Sequence, residues 1–406
     1  MTAILRWGLV LALALLPILC VRAADAPQTA RAEVGKPVQE AQALVRQRNY
    51  PAALERLKAA DAVPDKSPYE TYVIEETRAA ALVASGDYSA GVGALEAVLA
   101  THILPPVDEQ KRLLTVVELE FRLKDHAKTV AAANRYYQEG GSDPLPRQLT
   151  AQSYYLEGDY GAAEKSLDEI AAADTRAGKK PDENTLITLA SSAFKANDEN
   201  GYVAAMATLA GAYPKHEYWV NLYRAVAQRP GFAPRLALDL DRVAVATGAF
   251  DTSAQYVDAA ERAIAAGFPG DAKSFLDQGF AAGILSNSDN AAKEQRLRDM
   301  AQHQAEQDAA ALPAQARDAD AAPTGGALEK LGEAYLSDRR ASDATAALEK
   351  SLAKGGLDHP DDARLHLGMA YLAAGEGTKA DAVFAAITST DGDADLARMW
   401  RARGGK

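Results

Sequence analysis

The sequence holds one cysteine in 406 residues, so neither a disulfide framework nor a cysteine-built metal site can be assembled from it. Aromatic residues make up only 7% of the chain, while alanine recurs throughout. That balance disfavours β-sandwiches and barrels, which draw on Val, Ile, Thr and aromatics, and suits closely packed helices. An excess of positive charge is also missing. With 44 basic against 56 acidic residues and a formal charge of −12, the chain offers no electrostatic footprint for a phosphate backbone, and nucleic acid is excluded as the expected partner.

Catalytic signatures are lacking too. The six histidines, His102, His126, His216, His303, His359 and His366, include no His-x-x-x-His or His-Glu-x-x-His pair, so no zinc site is expected from local spacing. There is no Gly-x-Ser-x-Gly and no Ser-x-x-Lys accompanied by its partner motifs. Gly91-x-Gly93 and Gly325-Gly326 do not sit between a strand and a helix, as a phosphate loop requires. The acid pairs Glu75-Glu76, Asp318/Asp320 and Asp361-Asp362 read as solvated faces and helix-start charges. The expectation is a chain without catalytic residues, metal or cofactor.

What is present begins at the N-terminus. Arg6 supplies a positive start, Trp7 to Cys20 is an apolar run, and Val21-Arg22-Ala23-Ala24 ends in small residues. This is the pattern of a secretory signal peptide over residues 1–24, and the run is shorter than the roughly 20 residues that cross a bilayer. Cleavage near Ala23/Ala24 would remove two arginines, no acid and the only cysteine, and would leave an exported, periplasmic protein. An uncleaved N-terminus tethering the chain to a membrane is the alternative; bulky Leu19 before Cys20 argues against a lipoprotein.

The rest of the chain repeats itself. Leu331-Gly332-x-x-Tyr335, Ala344 and Leu348 recur 36 residues later as Leu367-Gly368-x-x-Tyr371, Ala380 and Phe384. In the second copy, apolar residues at helical spacing from Asp362 to Ala374 are broken by Gly375 and Gly377 and resume from Lys379, which reads as helix, turn, helix. Weaker copies precede it: Asn49-Tyr50, Ala53, Leu57; Ala79, Leu82, Gly86-Asp87-Tyr88; Val117, Phe121, Asp125-His126; Tyr154, Gly158-Asp159-Tyr160, Ala163; Ala190, Asn197-Asp198, Leu209; Ala260, Gly267, Ala272. Gly91 stands where Ala is usual and is expected to loosen its helix. Small residues such as Gly368 and Ala380 let two helix axes approach, and Phe384 is expected to reach towards the following helix.

These residues resemble the tetratricopeptide repeat (TPR), in the exported, periplasmic bacterial type. The resemblance implies an all-α fold, a right-handed TPR-type superhelix of helical hairpins, or α-solenoid. The repeats divide into an N-terminal array over 33–311, degenerate around 217–250, an Ala/Asp/Pro/Gly linker over 312–326, and a C-terminal pair over 327–403. In such repeats the first helix of each hairpin lines a groove that binds peptides. Carried onto this chain, the groove positions are Glu118, Phe121 and Arg122, then Gln152 and Tyr155, then Ser191, Phe194 and Lys195. An aromatic beside a polar residue in three neighbouring repeats suits recognition, and inter-repeat packing is the competing reading of the same aromatics. The expected function is a non-catalytic periplasmic scaffold that binds a protein or peptide partner, within a cell-envelope assembly. The alternative is an enzyme or enzyme subunit with its site in the degenerate 217–250 region.

Overall fold

The structure, a computed structural model, describes residues 29–404; the expected signal segment lies outside the described residues. The chain divides into two compact units, Met1–Ile170 and Ala171–Lys406. Among the described residues there are α-helices and one short 3-10 turn, no strand, and no helix long and apolar enough to cross a membrane.

The first unit consists of α1 (Ala32–Arg46), α2 (Tyr50–Asp61), α3 (Pro68–Ser85), α4 (Tyr88–Leu99), α5 (Pro106–Arg122), α6 (His126–Gln138), α7 (Leu145–Glu157) and the first part of α8 (Tyr160–Arg176). Consecutive helices pack in pairs, α1 on α2, α3 on α4, α5 on α6, and first helices of successive pairs also touch, α1 with α3 and α5 with α7. Sequence pattern produces this directly. Val34, Val38, Ala41 and Val45 fall on one face of α1 and close over Ala53, Leu57 and Ala60 of α2, the spacing of an amphipathic helix. Asn49, Asp87 and Asp125 cap α2, α4 and α6 by accepting a hydrogen bond from the third residue onward, satisfying donors that have no intrahelical partner. Ser67 and Glu70 form a reciprocal capping box at the start of α3. Gly91 does not loosen α4: a Cβ there would lie 2.8 Å from Val83 Cγ2, so the missing side chain is what lets α4 press against α3.

The second unit contains α9 (Glu183–Lys195), α10 (Glu199–Ala212), α11 (His216–Ala227), the 3-10 turn Pro234–Leu236, α12 (Ala237–Thr247), α13 (Ser253–Ala266), α14 (Pro269–Ala281), α15 (Ala291–Ala321), α16 (Gly326–Ser337), α17 (Ala341–Lys354), α18 (Pro360–Ala373), α19 (Gly377–Ala385) and α20 (Asp393–Gly404). Hairpins recur as α9 with α10, α13 with α14, α16 with α17 and α18 with α19. In the two clearest repeats the crossing is as the sequence requires. A Cβ on Gly332 would lie 2.4 Å from Leu348 Cγ, and one on Gly368 would lie 2.2 Å from Phe384 Cε1. Phe384 therefore packs back across its own hairpin, onto the face that Gly368 leaves open. This all-α array of helical hairpins is a solenoid-type fold.

The linker expected over 312–326 shrinks to the turn 322–325. α15 runs through Leu312 and Pro313 to Ala321; high alanine content supports the helix on both sides of the proline, and Leu312 and Ala319 are buried. The following turn is pinned, with Gly325 N–H donating to the Gly355 carbonyl at 2.7 Å and Ser351 Oγ donating to the Gly325 carbonyl at 2.9 Å. The 327–403 pair is accordingly part of the second unit and not a separate block. α20 packs on α10, α12, α18 and α19, and Gly211 of α10 gives it room: a Cβ there would stand 3.2 Å from Ala402 Cα.

Candidate partner-binding surfaces

The predicted groove positions fall on the helices expected, and the structure assigns part of them a local job. Phe121, on the last turn of α5, meets the His126 ring edge-on across the turn to α6, with centroids 5.8 Å apart. Tyr155 does the same with Tyr160 at 5.5 Å, and Phe194 meets Tyr202 in a tilted arrangement at 5.6 Å. The recurring aromatic thus braces the hairpin turn, a role that its position near the helix end makes available in each repeat. Arg122 reaches back to Tyr88, bonding its hydroxyl and lying 4.7 Å from the ring centroid. Glu118 and Gln152 are half-buried, and burial raises the Glu118 carboxyl above its ordinary range.

Phe194 differs from its counterparts because it is 67% exposed. Ile187, Ser191, Phe194 and Lys195 share one face of α9, at the four- and three-residue steps of a helix, and Ile187 is exposed as well. Beside Phe194 lies a notch of about 260 Å³ whose wall includes Tyr202, Val203, Ala225, Arg229 and Pro230. An exposed aromatic at the lip of a partly apolar notch has the composition of a protein-interface anchor.

The degenerate region 217–250 contains a convergence of charge that sequence spacing did not reveal. Every residue of α12 from Leu238 to Val245 is buried, among them Asp239, Asp241 and Arg242. The Arg242 guanidinium bonds Asp239 Oδ1 at 2.7 Å, Asp271 Oδ2 at 2.8 and 2.9 Å, and Glu333 Oε2 at 3.1 Å. His366, on α18, places Nε2 3.1 Å from the same Asp239 oxygen and 3.5 Å from Glu333 Oε2. Burial alone would lower the His366 pKa, but the Glu333 and Asp239 carboxylates outweigh it and push the ring up to about 9. Glu329, nearby on α16, is pushed up to about 7, first by burial and then by the neighbouring carboxylates. A second cluster joins the 3-10 turn to the C-terminal helices: Arg235 pairs with Asp362 at 2.8 Å, Asp391 at 2.9 Å and Asp393 at 3.4 Å, and Arg229 pairs with Asp395.

Asp239, Glu333 and His366 turn one ligand atom each to within 4.8 Å of one another, a donor set that suits a divalent metal. However, Arg242 Nη1 bonds the same Asp239 and Glu333 oxygens that face His366. The guanidinium fills the place a metal would take, and the cluster joins three helices instead. The signal that was legible in the sequence is two acids and an arginine set among Leu238, Leu240, Val243 and Val245, a helix apolar on all sides around them.

A cavity of about 660 Å³ opens among α12, α14, α16, α18 and α20. Arg242 and Asp271 contribute to its wall, whereas Asp239, Glu333 and His366 do not, so of the convergent groups the Arg242–Asp271 pair faces the cavity.

Comparison with known proteins finds no matching family model and no matching curated protein. Solved structures do match. A tetratricopeptide repeat protein from Parabacteroides merdae is 13% identical, with 83% of this chain and 98% of that one covered at a TM-score of 0.33. The C-terminal part of a TPR repeat-containing protein from Cytophaga hutchinsonii is 12% identical, with 80% and 98% covered at 0.33. Yeast Tom70 is 13% identical, with 92% and 95% covered at 0.26. At such values no residue role passes to this chain, and its fold is established by its own helix packing.

Proposed function

We propose that this chain is a non-catalytic scaffold that binds a protein or peptide partner through the outward faces of its helical hairpins, and that it works in the periplasm as part of a cell-envelope assembly. The observation that carries the reading is the α9 face, where Phe194 is 67% exposed and Ile187 stands two turns away. Large apolar side chains left in water at helical spacing, beside a notch, are the raw material of an interface hot spot. The wall of that notch includes Arg229, Asp198 and Glu199, which supplies a polar rim around the apolar centre. In the first unit, Gln152 and Tyr155 lie beside Leu156, which is 61% exposed, and extend the same reading to α7. The non-catalytic part of the proposal is supported by the pairing within the α12 cluster: Asp239, Asp271, Glu333 and His366 Nε2 are held by one another and by Arg242.

The test is in-cell crosslinking and purification of the unmodified chain beside an Ile187→Ser, Phe194→Ser double variant whose circular dichroism is unchanged. The double variant is expected to lose the specific partner. Retention of every partner would remove α9 from the account. The periplasmic address is tested by N-terminal sequencing of the exported protein: a start near Ala24 is expected, and recovery of Met1 would defeat it.

A further inference from the structure

The cavity of the second unit is separate from the α9 face, and its lining is chemically mixed. Its lining combines apolar residues, Phe275, Met369, Leu372 and Trp400 among them, with the guanidinium groups of Arg242, Arg339 and Arg403 and the Asp271 carboxylate that pairs with Arg242. Arg242 is neutralised by the three carboxylates already described. Arg339 and Arg403 are not. Arg339 meets the Ser274 hydroxyl, while Arg403 donates to the Ala246 carbonyl at 3.0 Å and lies 5.6 Å from the Trp400 ring centroid. Among the described residues no carboxylate pairs with either guanidinium, in a chain whose formal charge is −12. Trp400 is buried, and its indole N–H has no hydrogen-bond partner.

Arg339 closes the turn after α16 at a φ of 59°, in the left-handed region that Arg48, Lys124 and Asn197 also adopt after α1, α5 and α9, while glycine adopts it after α3, α7, α12 and α13. Glycine at this position would relieve backbone strain, and the Arg339 side chain lines the cavity.

We propose that this cavity is a binding site for a small amphipathic acid, a molecule with an apolar body and a single carboxylate or phosphate head. The head sits between Arg339 and Arg403, where charge-assisted hydrogen bonds are available; the body lies along Phe275, Met369, Leu372 and Trp400. A volume of about 660 Å³ falls in the range of small-molecule sites, about 300–1,000 Å³, and helices of one unit line it.

The processed chain is titrated calorimetrically with decanoate, decanol, inorganic phosphate and an N-acetylated apolar pentapeptide with a free C-terminus, with tryptophan fluorescence read in parallel. Decanoate is expected to bind about tenfold or more tightly than decanol, to weaken with added salt, and to change an emission that Trp400→Phe removes. Arg339→Gly is the decisive variant because it relieves the left-handed turn and leaves the fold intact; decanoate affinity falls about tenfold and decanol affinity does not move. Equal binding of acid and alcohol, indifference to Arg339→Gly, or no binding of decanoate overturns the proposal. Binding of phosphate alone would assign a free anion site, and binding of the pentapeptide alone would assign the seat of a peptide partner; either result also overturns it. None of these outcomes bears on the Ile187 and Phe194 face, so the two proposals fail separately.

Discussion

The two units use the same helical hairpin and differ in where they put charge. In the first, the apolar clusters are mainly Val, Leu and Ala; Glu70 and Glu120 are buried, but the Arg31 that holds Glu70 is exposed, and ion pairs such as Arg112 with Glu76 and Arg135 with Glu96 lie at partly exposed positions. In the second, Asp239 and Arg242 are buried on α12, and Glu333 and His366, which come from the C-terminal hairpins, complete their hydrogen bonds. A hairpin packed on its sequence neighbour needs only apolar complementarity. Helices brought together from more than a hundred residues apart, as Asp239 and His366 are, also need register, and a buried hydrogen-bonded charge cluster supplies it because any slip leaves a charge without a partner. Substitutions can weaken the contrast between the units in graded steps.

The largest effect is expected from Arg242→Met. It strands Asp239, Asp271 and Glu333 around an apolar side chain, and should cost about 3–5 kcal/mol. Arg112→Met in the first unit, whose partner is partly solvated, should cost about 1 kcal/mol or less. Urea denaturation of both variants measures the difference, and equal costs would erase the contrast. Gly270→Val comes next. A Cβ at that position would lie 2.4 Å from the Ser337 carbonyl oxygen, where α14 begins against the end of α16, so overpacking of roughly 1–3 kcal/mol is expected.

The upper-range pH response should be carried mainly by the second unit; in the first, burial raises Glu118 and Glu120 in the same direction. Asp393 is pushed up to about 7, first by burial and then by Asp362, alongside Glu329 at about 7 and His366 at about 9. A raised acid stabilises the fold when protonated, and that stability is lost as pH climbs from its ordinary value through the raised one; a raised histidine loses its contribution between about 6.5 and 9. The second unit should therefore weaken as pH rises from about 5 to 9. In the first unit, Glu70 is held down to about 2 by the hydrogen bonds of Arg31. Its contribution is complete above the ordinary carboxylate range and is lost only as pH falls towards 2. Calorimetric scans of the whole chain across pH should show the upper-range decline, and Glu329→Gln, which cannot ionise, should flatten its pH 5–7 portion. An unchanged slope in that variant would remove Glu329 from the cause.

The smallest effect is a gain. Gly93 lies on the exposed side of α4 with nothing within 4 Å of the Cβ it lacks, so Gly93→Ala should stabilise by about 0.5–1 kcal/mol. A loss in thermal midpoint would mean that α4 is not held as described.

The sequence made the hairpins legible because their determinants are local. Asp87 and Asp125 announce helix starts, Gly86 and Gly158 announce left-handed turns, and Gly332 and Gly368 mark the crossings. The α9 face could be named from the repeat pattern, but the exposure of Phe194 against the half-burial of Phe121 could not, since both occupy the same motif position and differ in what packs over them. Residues 312–326 were misread because Pro313 and Gly325-Gly326 carry loop composition; alanine on both sides and the buried anchors Leu312 and Ala319 outweighed them. The α12 cluster lay beyond reach for a different reason. Its members come from α12, α14, α16 and α18, and no local spacing relates them. The only trace was charge placed inside an apolar helix face.

The central claim is that the C-terminal hairpins close the second unit onto α10 and α12 and do not trail from the array. Amide hydrogen exchange of the intact chain, read over 393–404, tests it most directly, because a helix at a chain end frays unless it is docked. The account predicts that α20 is protected to the same degree as α10 and α12 and that Arg242→Met lowers all three together. Rapid exchange of α20 in the unmodified chain, with α10 and α12 still protected, would contradict it.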